Sequence, residues 1–156
     1  MIFRFPYLEE PLLGPPPPSL SAGDVSRWRP LIPVRIIGPT GRSRLFLRAL
    51  LDPGSDDTIF PLDVAALIGV ELRSGTNHSV RWRGQRYKLE FADVHLALTD
   101  NAETWRWPAV VALSDAPIRY PLLGLAGCLQ FFDVAYLGEQ RFVEIDANSS
   151  FAGTKS

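Results

Sequence analysis

The sequence predicts a mostly β domain with two short helices, and three observations lead to this fold class. Apolar side chains alternate with other residues from Trp105 to Leu113, which is the period of a half-buried strand. Other apolar runs are joined in pairs by short segments rich in glycine and other turn residues, as in hairpins. The chain has 14 prolines among 156 residues, which favours turns and strand edges.

Residues 1–30 are predicted to form a proline-rich arm or linker. Pro15 to Pro18 favour a stiff polyproline II segment. Two packing partners are open for Phe3 and Phe5 near the start, the domain itself or a second subunit. The domain is predicted to span residues 31–146, and it begins with strands 31–37 and 44–51, joined by a hairpin-like connection.

The middle of the chain predicts a helix and then a series of strands. Residues 61–68 form the first short helix, with Pro61 in its first turn and Gly69 at its end. Alternation around Gly84 predicts a hairpin between about residues 76 and 89. The apolar parity changes beyond it, so we expect a bulge or bend near residues 92–93. Pro108 predicts that strand 105–113 has a free edge or a local break.

The last part of the chain predicts a second helix, a hairpin and a tail. Residues 125–131 form the second short helix, and residues 133–136 pair with 141–145. Residues 147–156 are small and polar, so we expect a flexible C-terminal tail.

Composition argues against several classes of function. The formal net charge is −1, which gives no electrostatic case for a nucleic-acid or membrane partner. The single cysteine, Cys128, is predicted to be a buried structural thiol, and neither it nor His78 and His95 show the spacing of a metal site. We find no signal peptide, membrane span or cofactor motif, so the default location is cytoplasmic.

One stretch places an acid where it is unusual. An apolar run from Leu45 to Leu51, interrupted by Arg48, leads directly into Asp52. Strands with little alternation tend to be covered on both faces, so Asp52 is expected to leave a buried strand end, where an unpaired charge is costly. The alternative is an ordinary Asp-Pro-Gly turn followed by two solvated acids.

A second apolar run gives this stretch a counterpart. Leu50-Leu51-Asp52-Pro53-Gly54-Ser55 is followed, about 70 residues later, by Leu122-Leu123-Gly124. The combination resembles the retropepsin-like aspartic proteases, and the resemblance extends over residues 31–145. It implies a closed acid-protease β-barrel with one lobe per chain, and a homodimer in which each chain supplies one catalytic carboxylate. The implied activity is hydrolysis of peptide bonds in peptide or protein substrates, without a metal or cofactor.

The resemblance also implies roles for individual residues. Asp52 is the implied catalytic acid, and the hairpin with its tip at residues 82–84 is the implied lid. The implied substrate-binding residues are Gly54, Ser55, Asp56, Asp57, Trp82 and Gly84. Structural support of the catalytic turn is implied for Pro53, Leu122, Leu123 and Gly124. A core or interface aromatic is an equally good interpretation of Trp82 from the residues alone.

Two positions depart from the family pattern. Pro53 stands where the family has Thr or Ser, so the hydroxyl and N–H that cross-link the two catalytic loops are missing. Leu125 replaces the Arg that pairs, in retroviral members, with the acid equivalent to Asp56. Two alternatives therefore stay open: a catalytically inactive dimer that binds peptides or only assembles, and an unrelated β-barrel binding module.

Overall fold

The computed structural model of the chain describes residues 1–73 and 77–156. Two short helical segments occur in these ranges, α1 (Val64–Ile68) and a 3₁₀ turn (Leu129–Phe131). The strands are β1 (Phe3–Pro6), β2 (Leu8–Pro11), β3 (Ser26–Arg29), β4 (Leu31–Ile37), β5 (Ser43–Leu51), β6 (Ile59–Pro61), β7 (Ser79–Trp82), β8 (Gln85–Lys88), β9 (Glu90–Thr99), β10 (Thr104–Ser114), β11 (Leu122–Leu123), β12 (Phe132–Leu137), β13 (Phe142–Ala147) and β14 (Thr154–Lys155). The predicted mostly β fold class is confirmed.

Six strands close into a barrel. The neighbours run β10, β6, β11, β5, β4 and β9, and β9 pairs with β10 to complete the ring. Closure of this kind joins the two outer strands of what would otherwise be an open sheet. The small β1–β13–β12 sheet and the β2–β3 and β7–β8 hairpins lie outside the ring.

Strand β10 confirms the strongest pattern in the sequence. The alternate residues from Trp105 to Leu113 are all buried, with no more than 8% of any of them exposed. Pro108 faces β9 on one side. On the other side β10 pairs with β14 at Trp105 and Arg106 and then with β6 from Ala112 onward. Strand β10 is unbroken from Thr104 to Ser114, and Pro108 lies where one edge has no partner strand among the described residues, so of the two predicted outcomes the free edge is observed.

The N-terminal segment contributes to the core, which corrects the prediction of an arm for its first residues. Strand β1 pairs antiparallel with β13, and Phe3 and Phe5 are buried. The Phe3 ring stacks on Trp105 with the ring centroids 4.0 Å apart. Packing on the domain was one of the two options for these aromatic residues. The pairing joins residues far apart in the sequence, which local patterns do not reveal.

The C-terminal segment is also docked, so the expectation of a flexible tail is not met. Strand β14 pairs with β10 at Trp105 and Arg106. Phe151 packs against Trp107 and Phe132, with ring centroids 6.2 and 5.5 Å away. One aromatic side chain in an otherwise small and polar segment provides the apolar contact that holds it.

Other boundaries differ from the predictions in smaller ways. Helix α1 begins at Val64 because Pro61 ends β6, although Gly69 does end the helix with φ of 73°. The second predicted helix shortens to the 3₁₀ turn. Strands β9 and β10 pair in unbroken register through Ala92 and Asp93, so the predicted bulge is wrong there. Leu89 and Phe91 pack in one apolar cluster and Ala92, Val94 and Leu96 in another, so the change of parity reflects apolar contacts on both faces of a regular strand.

Strand β5 is not covered on both faces along its length, which corrects the inference drawn from its apolar run. Ala49 and Leu51 are buried, but Leu45 and Leu47 are 42% and 69% exposed. Leu50 lies between Ala49 and Leu51 on the opposite face and is half-buried, so cover on both faces is confined to the last three residues of the strand.

The part of the chain that the structure describes lacks two kinds of feature. No helix there has the length and apolar character needed to cross a bilayer. No group of three or more His, Cys, Asp or Glu side chains there is arranged to hold a metal ion.

Candidate active site

Asp52 emerges from the barrel at the end of β5, where two segments distant in sequence run side by side. Leu50 and Leu51 pair in parallel register with Leu122 and Leu123. The Asp52 backbone N–H donates to the Leu123 carbonyl oxygen at 3.0 Å. The two apolar runs that carried the sequence argument are therefore adjacent strands.

The turn after β5 fixes the Asp52 carboxylate. The Gly54 N–H donates to Asp52 Oδ1 at 3.0 Å, and the Ser55 N–H donates to the Asp52 carbonyl oxygen at 3.1 Å. A Cβ at position 54 would lie 3.2 Å from Asp52 Oδ1, which is a close contact. Pro53 and Gly54 are exposed, and Asp52 is partly buried. The turn thus holds one oxygen of a partly buried carboxylate near the surface.

Gly124 allows the second segment to pass beneath this turn. A Cβ there would lie 2.5 Å from the Ser55 carbonyl oxygen and closer still to that of Asp57. The following N–H groups of Leu125 and Ala126 donate to the carbonyl oxygens of Ser55 and Asp56, both at 2.9 Å. A side chain larger than hydrogen at position 124 would force these backbones apart.

Thr58, which the sequence analysis did not single out, joins the same two segments. Only 1% of it is exposed. Its hydroxyl donates to the Ala126 carbonyl oxygen at 2.8 Å and accepts from the Gly124 N–H at 3.2 Å. The sequence carries no local signal for this role, because the two partners lie 66 and 68 residues further along the chain.

The β7–β8 hairpin forms one wall of a cleft of about 270 Å³ that contains Asp52. Arg83 and Gly84 form the hairpin tip with φ of 49° and 80°, a pair of positive values typical of a two-residue type I′ turn. The tip predicted at residues 82–84 is confirmed, whereas Thr76, the expected start of the hairpin, lies outside the described residues.

The cleft contains most of the predicted site residues but not all of them. Its lining includes Asp52, Gly54, Ser55, Asp56, Asp57, Trp82 and Leu122. Gly84 lies at the hairpin tip, where a Cβ would meet open space within 4 Å, and Leu123 points into the core. Within the described residues the buried Trp82 indole N–H has no hydrogen-bond partner.

The cleft has an acidic character. Burial raises the pKa of the Asp57 carboxyl, Asp56 raises it further, and His78 acts in the opposite direction. Asp56 is exposed, and neither it nor Asp52 nor Asp57 belongs to any ion pair in the described ranges. Where Leu125 departs from the retropepsin-like pattern, Asp56 therefore stays exposed to solvent and gains no other ionic partner among the described residues.

Two further titratable groups lie close to this region. Burial raises the pKa of Tyr136 to about 12, and Cys128, Tyr7 and Asp52 add to the shift, although 39% of Tyr136 is exposed. The sequence analysis did not single out Tyr136, because it lies in a predicted strand with no motif around it. Burial also raises the pKa of the Cys128 thiol to about 12. Cys128 is 1% exposed, so the predicted buried structural thiol is confirmed.

Comparison of the chain with protein-family models, with curated proteins and with solved structures gave no significant match. The likeness to retropepsin-like proteases therefore depends on the motifs described above.

Proposed function

We propose that the chain is an aspartic endopeptidase that acts as a homodimer, with Asp52 of each chain as the catalytic acid. The observation that supports this most directly is the position of Asp52. Its carboxylate is held by the Gly54 N–H in the cleft that the β7–β8 hairpin covers. The parallel pairing of Leu50 and Leu51 with Leu122 and Leu123 supports the turn from below.

The chemistry requires two carboxylates at near-contact distance. Two such groups do not both ionise easily, so the pair retains one proton between them. The ionised carboxylate accepts a proton from a water molecule as that water attacks the scissile carbonyl carbon. The protonated one donates a hydrogen bond to the carbonyl oxygen. The pH dependence of cleavage then reports two values that belong to the pair rather than to either residue.

The surface beside the catalytic turn is suited to contact with a second chain. Pro53 and Gly54 are exposed at the turn. Leu125 is 55% exposed and lies against the same turn, because its N–H donates to the Ser55 carbonyl oxygen. An exposed leucine next to a functional turn gains stabilisation when a partner covers it. We propose that these residues meet their copies across a two-fold axis.

Substrate is proposed to lie in extended form between the turn and the hairpin. Gly54 and Ser55 border the path of its backbone, and Asp56 and Asp57 accept hydrogen bonds from it. The Trp82 indole N–H is buried and has no partner in the described part of the chain, so a shift of the hairpin would let it donate to a substrate carbonyl group.

The experiment compares cleavage of a random peptide mixture by the parent chain and by Asp52→Asn across acidic and neutral pH. We expect Asp52→Asn to lose activity by about 1,000-fold or more, because both carboxylates of the pair are replaced in a dimer of the variant. Asp63→Asn is the matched control, since Asp63 precedes α1 and makes no side-chain cap hydrogen bond. Cleavage that survives in Asp52→Asn would contradict the proposal.

One observation favours a second candidate, a catalytically inactive dimer that binds peptides or assembles. Pro53 has no N–H and no hydroxyl to cross-link the two turns. Each lost hydrogen bond is worth about 1 kcal/mol, and the two-fold axis doubles the loss. Sedimentation of Pro53→Thr against the parent is expected to show a tighter dimer. An unchanged dissociation constant would show that Pro53 does not limit assembly.

A further inference from the structure

A second groove, separate from the Asp52 cleft, lies between β5 and residues 119–121. Its volume is about 560 Å³. Residues 44–48 of β5 form one side, and Glu10, Pro61 and residues 119–121 form the other. It shares no lining residue with the cleft that contains Asp52.

The strand that borders this groove has an unpaired side. Strand β5 pairs with β4 along one edge, apart from a register shift at Leu47 and Arg48. Along the other edge β11 pairs with it only at Leu50 and Leu51. In the described ranges no strand pairs with residues 44–48 on the β11 side. An open strand edge is a template for another extended segment.

The exposed side chains of this edge combine apolar surface with positive charge. Leu45 and Leu47 are 42% and 69% exposed. Arg44 lies over the Phe46 ring at 4.5 Å, and neither Arg44 nor Arg48 forms an ion pair within the described part of the chain.

The one acid in the groove does not offset these charges. Glu10 is 5% exposed and is already matched by two arginines, with Arg119 at 3.1 Å and Arg29 at 3.4 Å. The groove therefore presents net positive charge beside two exposed leucines.

We propose that this groove binds an extended acidic segment of a partner protein, which adds a strand to the open edge of β5. Its carboxylates face Arg44 and Arg48, and its apolar side chains cover Leu45 and Leu47. A second copy of this chain is a poorer occupant, because it would bring the same arginines face to face. The inference is independent of the proposed protease activity.

The test titrates the full chain with an end-blocked octapeptide that alternates glutamate with valine, while backbone amide shifts are recorded by NMR. The chain carries Asp52→Asn so that hydrolysis does not consume the probe. We expect the largest shifts at residues 44–48. The Arg44→Glu/Arg48→Glu variant is expected to bind the octapeptide at least about tenfold more weakly, because two favourable charge pairs become repulsive.

Three controls make the result specific. Arg86→Glu/Arg106→Glu reverses two exposed arginines outside the groove and is expected to bind the octapeptide as the parent does. An octapeptide that alternates lysine with valine is expected not to bind. A glutamate–valine peptide with alternate backbone N-methyl groups keeps the charges but loses strand hydrogen bonds, and it is expected to lose binding even if the double variant fails to fold.

Several results would overturn the inference. If the lysine peptide bound as tightly as the glutamate peptide, charge recognition would be excluded. If the N-methylated peptide bound as tightly as the glutamate peptide, strand addition would be excluded. Shifts confined to the Asp52 cleft would place the peptide elsewhere. Shifts of residues 44–48 that depend on protein concentration without peptide would identify a second copy as the occupant.

Discussion

At the scale of single residues, the Thr58 hydroxyl holds two segments of the candidate site together by hydrogen bonds. It bonds to Ala126 on one side and to Gly124 on the other, and so joins the turn that follows Asp52 to the segment beneath it. We expect Thr58→Val to lower the free energy of unfolding by about 2 kcal/mol, because the buried Gly124 N–H loses its hydroxyl partner and the Ala126 carbonyl oxygen loses one of its two donors. Denaturant unfolding measures this change.

Two substitutions control for the change at position 58. Thr58→Ser keeps the hydroxyl and is expected to retain most of the stability. Thr99→Val removes an exposed hydroxyl that donates to the Glu103 carbonyl oxygen, and it is expected to have little effect. Equal stability of Thr58→Val and the parent would show that the two segments are held by other contacts.

The residues of the site were partly predictable from sequence. Asp52 and Gly124 follow from a short pattern in which an apolar run ends in an acid or a glycine, and the structure places both at the same junction. Tyr136 had no such signal, because its proximity to Asp52 arises only from folding. The close approach that requires Gly124 to lack a side chain is likewise a property of two distant segments.

At the scale of elements, Glu10 links the β2–β3 hairpin to the segment that precedes β11. Its buried carboxylate accepts from Arg119 at 3.1 Å and lies 3.4 Å from Arg29. We expect Glu10→Gln to lower the free energy of unfolding by about 2 kcal/mol, because hydrogen bonds to charged groups are stronger than neutral ones and the arginines would lose their counter-charge. Thermal unfolding followed by circular dichroism measures the change.

The neighbouring glutamate provides the control for this prediction. Glu9 is exposed and accepts from the Ser26 hydroxyl at 2.7 Å. Glu9→Gln is expected to change stability by less than about 0.5 kcal/mol, as is usual for surface positions. Equal effects of the two substitutions would mean that the Glu10 cluster does not hold the hairpin in place.

The β7–β8 hairpin is expected to be more mobile than the barrel. Its two strands pair only with each other, and most of its residues are exposed or half-buried. We therefore expect its amides to exchange with solvent at least about tenfold faster than those of β9, which lies within the barrel. Hydrogen exchange measured by NMR or mass spectrometry makes the comparison. Equal protection of the hairpin and β9 would argue against a lid.

The elements predicted best were those with a local signal. The β4–β5 and β12–β13 hairpins and the strand at β10 follow from alternation and turn residues over short distances. Strands β1 and β14 were missed because each is short and pairs with a segment far away along the chain. Their stabilising contacts involve single aromatic residues such as Phe151, which carry no periodicity.

At the scale of the whole molecule, the closed barrel was implied only by the family resemblance, and the described strands do form a closed ring of six. Its closure depends on the parallel β5–β11 pairing and on the β9–β10 pairing. The first of these joins segments about 70 residues apart, and composition and periodicity do not specify such a register. The burial of β5 was likewise not predictable from sequence, because an apolar run does not reveal which face is covered, and two of its leucines are exposed.

The central claim is that two chains form one active site, and a mixing experiment tests it most directly. The parent and Asp52→Asn chains are equilibrated in equal amounts at a fixed total concentration above the dimer dissociation constant, and peptide cleavage is measured. If a site needs Asp52 from both chains, random pairing leaves about one quarter of the activity of the unmixed parent. A residual activity of about one half, as expected when each chain acts alone, would contradict the claim.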